Sequence, residues 1–182
     1  MKNILFVSLL VSINVLVISC LPPNNQEKCN KFLDDHHNPL AKKVDDLALN
    51  KNNYMIKGAH AVGFIFTIDE VKNMKPADVL NNIITKLTTN NTAKTSFKNQ
   101  FASLETSFNN YKAAATSAIS ALDEAIKADD TGCKNSNFTV TTINKKIPGE
   151  SSYKEELKKM KEAYETDLNS NINEFNQIKQ AL

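Results

Sequence analysis

Apolar residues recur at spacings of three and four over most of this chain, with polar residues between them. The longest such run lies between about Thr92 and Asp129, where Phe101, Leu104, Phe108, Tyr111, Ala115, Ala118, Leu122 and Ala125 form one stripe and Phe97 precedes it. A heptad-like stripe of that length predicts one long amphipathic helix. Gly132 follows, where a helix stop is expected. A second stripe through Tyr153, Leu157, Met160, Tyr164, Leu168, Ile172, Phe175, Ile178 and Leu182 predicts a last helix, opened by a capping box of Ser152 and Glu155. Two long stripes joined by one loop bury each other most simply as an antiparallel pair.

Shorter elements are predicted ahead of them. Pro39 suits a first helical position, and Leu40, Val44, Leu47 and Ala48 follow at helical spacing. Asn50, Asn52 and Asn53 predict an end near Leu49 or a weak stretch of helix there. Residues Tyr54 to Ile68 are strongly apolar and read as a helix, although Phe64-Ile65-Phe66 also fits a short strand; a lone strand has no evident partner. Pro76 opens a further helix with Val79, Leu80, Ile83, Ile84 and Leu87 on one face, broken by Thr88 to Asn91. Residues Asp130 to Glu150 form a loop with a β-branched run, Phe138 to Ile143, closed by Pro148-Gly149. The expected fold is all-α: an elongated helical bundle built on two long antiparallel amphipathic helices plus shorter N-terminal helices.

The N-terminus departs from this periodicity. After Lys2, residues Ile4 to Ile18 are apolar except for Ser8, Ser12 and Asn14. That run is short for a bilayer span, which needs about twenty residues, and reads as a secretory leader. Val17-Ile18-Ser19-Cys20 resembles a bacterial lipobox, in which the Cys thiol is acylated and the bond before it cut. The expected organisation is a lipoprotein signal peptide over 1–19, a lipidated flexible tether over 20–38 containing Pro22 and Pro23, and one α-helical domain over 39–182. Lipid on Cys20 ties the chain to a membrane surface outside the cytoplasm.

Composition narrows the remaining chemistry. Net charge is +2, and all 22 basic residues are Lys. They are spread along the chain, so no basic patch points to nucleic acid. Arg and Trp, the favoured anchors of protein interfaces, are absent, leaving Tyr, Phe, Leu, Lys and carboxylates for any partner surface. Of the three Cys, lipidation at Cys20 leaves Cys29 and Cys133. In an oxidising compartment these form a plausible disulfide closing a loop of roughly a hundred residues; two free thiols are the alternative.

Candidate sites are few. Asp34-Asp35-His36-His37 is the one cluster with metal-ligand residue types, but adjacent helical residues diverge and no Glu-x-x-His pair supports them. It reads as a solvated tether, and no metal, cofactor or small-molecule substrate is expected. The chain has no Gly-x-Ser-x-Gly, no His-Glu-x-x-His and, with four Gly, no phosphate-cradling loop. An enzyme is not expected. Phe138, Val140 and Ile143 lie in a loop, where an apolar run either folds back on the bundle or faces a partner. With Asp129, Asp130, Lys134, Lys145 and Lys146 they form the expected partner-binding surface.

A lipobox ending Ile18-Ser19-Cys20, a polar segment after it, an Arg-free Lys/Asn-rich composition and a helical body ending in a long amphipathic helix resemble Borrelia outer-surface lipoproteins. Length and the helix–loop–helix layout are most similar to the factor H-binding lipoproteins of relapsing-fever spirochaetes. The resemblance implies a lipid-anchored outer-membrane protein that captures host complement factor H for complement evasion; some members also bind plasminogen. An adhesin for plasminogen or another host or vector ligand, an antigenic coat lipoprotein without a dedicated ligand, and a periplasmic structural lipoprotein remain open.

Overall fold

The computed structural model describes residues 24–134 and 148–182. The expected leader, Cys20, and five expected contact residues, Phe138, Val140, Ile143, Lys145 and Lys146, lie outside the described residues. The described residues are helical, with no strand, and the fold is all-α.

Helix α1, Asn25–Phe32, begins at a reciprocal cap. The Asn24 side chain accepts from the Glu27 N–H at 2.9 Å, and the Glu27 carboxylate accepts from the Asn24 N–H at 3.1 Å. A π-helical turn, Leu33–His37, passes directly into α2, Asn38–Gly63. The expectation of a flexible tether up to residue 38 is therefore corrected from residue 24 onward. Cys29, Phe32, Leu33 and His37 recur at helical spacing, and all four are buried. The polar residues between them mask that stripe in the sequence.

Helix α2 also corrects the expected break near Leu49. It runs unbroken through Asn50, Asn52 and Asn53. Each Asn costs only a fraction of a kcal/mol in a helix interior, whereas Leu40, Leu47 and Ala61 on the same helix are buried. Asn52 and Asn53 are exposed, and the Asn50 amide donates to the Asp46 carbonyl. Gly63 ends the helix, so the separate helix over Tyr54 to Ile68 is replaced by the second half of α2 and a turn.

A five-residue helix α3, Ile68–Lys72, follows, capped reciprocally by Thr67 and Glu70. A 3₁₀ turn at Pro76–Asp78 leads into α4, Val79–Thr89. Helix α5, Asn91–Lys127, spans 37 residues, about 55 Å at 1.5 Å per residue, and opens at Asn90, whose side chain accepts from the Ala93 N–H. After a 3₁₀ turn at Thr131–Cys133, α6 runs over Tyr153–Ala181. Ser152 makes no side-chain cap bond, so the expected capping box there does not form.

Three long helices, not two, build the body. Helix α5 is the central one. It packs most extensively on α2 and next on α6, while α4 closes the far end against both α5 and α6. Contacts of Glu105 with Lys179, Tyr111 with Asp167 and Asp123 with Lys161 set α5 and α6 running in opposite directions. The main core is aromatic: Phe108 stacks on Phe175 with ring centres 4.0 Å apart, Phe101 stacks on Phe175 at 5.5 Å, and Tyr54 stacks on Tyr111 at 5.6 Å. A second core at the α1 end gathers Cys29, Phe32, Leu40, Leu122, Tyr153 and Leu157.

Candidate functional site

At the corner where α1, the C-terminal end of α5 and the start of α6 meet, a buried cluster and a disulfide hold the three segments together. Cys29 and Cys133 form a disulfide across a sequence separation of 104, closing α1 onto the turn after α5. Two glycines make the approach possible. A Cβ on Gly132 would lie 2.6 Å from the Lys28 Cβ, and Gly149, at φ +88°, would place one 2.6 Å from the Lys134 nitrogen.

Asp130 is buried beneath this corner. Its carboxylate accepts from the Gly149 N–H at 3.1 Å and lies 3.5 Å from the Lys154 ammonium, which also donates to the Ala128 carbonyl. Its work is structural, and its expected place on a partner surface is corrected for that reason. Asp129 is exposed, and bonds from the Thr131 hydroxyl and N–H hold its carboxyl below the usual range. Lys134 is also exposed. Asp129 and Lys134 thus lie on either side of the 3₁₀ turn at the corner.

The two histidines do different things. His37 is fully buried, with Nδ1 2.8 Å from the Tyr153 hydroxyl. Burial, and then the charge of Asp130, push that hydroxyl far above its ordinary value. His36 packs against the Phe32 ring, and its Nδ1 is buried without a hydrogen-bond partner among the described residues. No three potential ligands group around a metal position among the described residues.

Further along the rod, the Lys51 ammonium meets both Asp167 oxygens at 2.8 and 2.9 Å, and the Tyr111 hydroxyl donates to the same carboxylate at 2.7 Å. Burial alone would raise the Asp167 carboxyl, but Lys51 and Tyr111 outweigh it and hold it low. This bridge fastens α2 to α6 across the central helix. Neither it nor the His37–Tyr153 pair has a local sequence signal, because the partners lie 116 residues apart in both cases.

The opposite end of the rod also exposes apolar side chains. Phe64 is 50% exposed, Ile68 73% and Val71 47%, and α3 has no buried residue. Helix α3 is held from below by its Glu70, which pairs with Lys86 at 2.7 Å, while the Lys86 ammonium lies 5.2 Å from the Phe66 ring centre. Among the described residues, no element covers Ile68 and Val71, three apart on one helix. The sequence shows both residues but not that they lack a neighbour.

The chain matches no family profile, no curated protein sequence and no solved structure. Among the described residues, no helix is long and apolar enough to cross a membrane.

Proposed function

We propose that this protein is a lipid-anchored outer-surface protein that holds a host protein, factor H, at the bacterial surface so that complement is shut down there. The observation that carries the reading is the chain order at the N-terminus: an apolar leader, Val17-Ile18-Ser19-Cys20, and a capped helix that opens at Asn24, four residues after that Cys. Four extended residues span about 13 Å. An acyl chain on Cys20 would thus keep the α1 corner against the headgroups and aim the long axis of α5 outward.

That geometry bears on the contact surface. Asp129 and Lys134 lie at the corner nearest the anchor, where a large host protein has least room. Ile68 and Val71, on α3, occupy the opposite end of the rod. The reading therefore assigns capture to the far end, with exposed apolar side chains as anchors in place of the absent Trp and Arg.

The test is affinity capture from host serum by the full chain on its membrane. Ile68→Lys with Val71→Lys should abolish factor H capture and leave the helical circular dichroism unchanged. Replacement of residues 135–147 by a Gly/Ser linker should leave capture intact. The reverse pattern would return the contact to the loop, and serum that yields no factor H would remove the ligand. Plasminogen capture competed by lysine analogues would support the adhesin reading instead.

A further inference from the structure

One side of the rod, formed by α2 from Leu49 to Phe64 and the α5 residues alongside, carries little charge. Over Leu49 to Phe64, α2 turns Leu49, Asn53, Ile56, Lys57, His60 and Phe64 to this side, and Leu49, Ile56 and Phe64 are 60%, 55% and 50% exposed. The α5 residues alongside are small and uncharged: Ser103, Thr106, Ser107, Asn110, Ala114 and Ser117. Two shallow clefts, about 370 and 320 Å³, trace the seam between the helices. Lys57 is the one permanent charge on this side of α2 from Leu49 to Phe64, and Lys43 and Asp46 border the second cleft. The outer side of α6, by contrast, exposes Glu155, Lys158, Lys159, Glu162, Glu174 and Lys179.

We infer that this side is an interface for a second copy of the chain, the two rods standing parallel on one membrane. This rests on the lipid-anchor reading, because an anchor at the α1 end of every copy orients them alike. Three observations select a second copy as the occupant. First, a charge-depleted side opposes nothing when it meets itself, whereas a charged partner gains nothing there. Second, large and small residues match by height. Tyr54 stacks on Tyr111, and a Cβ on Gly58 would lie 4.0 Å from Leu104. That register sets Leu49 level with Ala114, Ile56 with Ser107 and His60 with Ser103. A two-fold axis along the rods then lays each copy's α2 side chains on the small residues of its neighbour's α5, an isologous contact.

Third, the area fits a contact that needs the membrane. Sixteen residues of helix and two helix widths give about 24 by 20 Å, so roughly 1,000 Å² is buried over both copies, at the lower edge of specific interfaces. Such a contact is weak between free molecules. It forms when anchoring raises the effective concentration to the millimolar range.

The test uses two differently tagged full-length chains, one Ile56→Cys and one Ser107→Cys, co-expressed and oxidised on their membranes. A mixed disulfide-linked dimer is expected about tenfold above that from Ile56→Cys with Ser170→Cys on α6. Adding Ile56→Lys to the Ser107→Cys chain in place of its native Ile56 should remove it, with the circular dichroism unchanged. The same pair carrying Cys20→Ser separates the two readings. Mixed dimer lost with Cys20→Ser supports interface and anchor together, while mixed dimer undiminished supports the interface and refutes the anchor. No mixed dimer from chains whose Cys20 is acylated by mass overturns the interface. No mixed dimer and no acylation overturns both. Serum capture lost with Ile56→Lys, without any mixed dimer, hands this side to the host protein and also overturns the inference.

Discussion

At the scale of single residues, a few long-range polar contacts are set by burial. The Tyr153 hydroxyl and His37 Nδ1 are bonded in a buried core. Removing the hydroxyl leaves a buried nitrogen without that bond, which costs about 1–3 kcal/mol. Tyr153→Phe should therefore lower the urea midpoint with an unchanged m-value. The carboxylates predict the acid limb. Bonds from Lys86, then from the Thr67 N–H and hydroxyl, hold the Glu70 carboxyl at about 2. Lys127 and then Lys161 do the same for Asp123, also about 2, and Asp167 is lowered as well. A depressed folded-state value means that the unfolded chain takes up protons first as pH falls. Their contribution is fully present above about pH 4 and is lost between there and about pH 2. Denaturation midpoints across that range should fall steeply, and Glu70→Gln with Asp123→Asn should flatten the fall.

Elements are held by two cores of different character. The aromatic stack of Phe101, Phe108 and Phe175 locks α5 to α6 well away from the disulfide. Phe175→Ala should cost about 3–5 kcal/mol in chemical denaturation, since the stack leaves a cavity that cannot close. At the corner, α1 is eight residues long, too short to persist alone. Its stability comes from burial of Cys29 and Phe32 and from the bridge to Cys133. Cys29→Ser should lower global stability by about 2–5 kcal/mol. Hydrogen exchange should show α1 losing protection first while the centre of α5 keeps it. Gly132→Ala should act in the same direction with the disulfide intact, because its methyl would strike Lys28.

For the whole molecule, the rod shape assigns different tasks to its two ends and its one uncharged side. The α1 corner is buried, cross-linked and close to Cys20 in sequence; the α3 end is small, capped and apolar; the α2–α5 side carries little charge from Leu49 to Phe64. Truncating α3 therefore tests capture without touching the core, because none of its residues is buried. Replacing residues 67–73 with a short Gly/Ser linker should abolish serum capture with little change in thermal midpoint. The same chain should still give the mixed cross-link on α2 and α5. If both readouts fail together, the α3 end and the uncharged side act as one surface.

Much of this was legible locally. The 3.6-residue repeat of Phe101 to Ala125 and of Tyr153 to Leu182 specifies helices and their buried sides without reference to anything distant, and the odd-plus-pair arithmetic of Cys20, Cys29 and Cys133 left the bridge as one of two outcomes. Tertiary structure decided the rest. Asn50, Asn52 and Asn53 read as a break, yet burial of Leu47 and Ala61 on either side carries α2 straight through them. Residues 24–38 read as a tether, yet four buried side chains and a disulfide fold them onto the corner. Asp130 reads as a surface charge, yet Gly149 and Lys154 enclose it. Periodicity encodes which side of a helix is apolar; which neighbour covers that side, and which apolar side is left uncovered, depends on contacts between residues far apart in the chain, for which no local pattern exists.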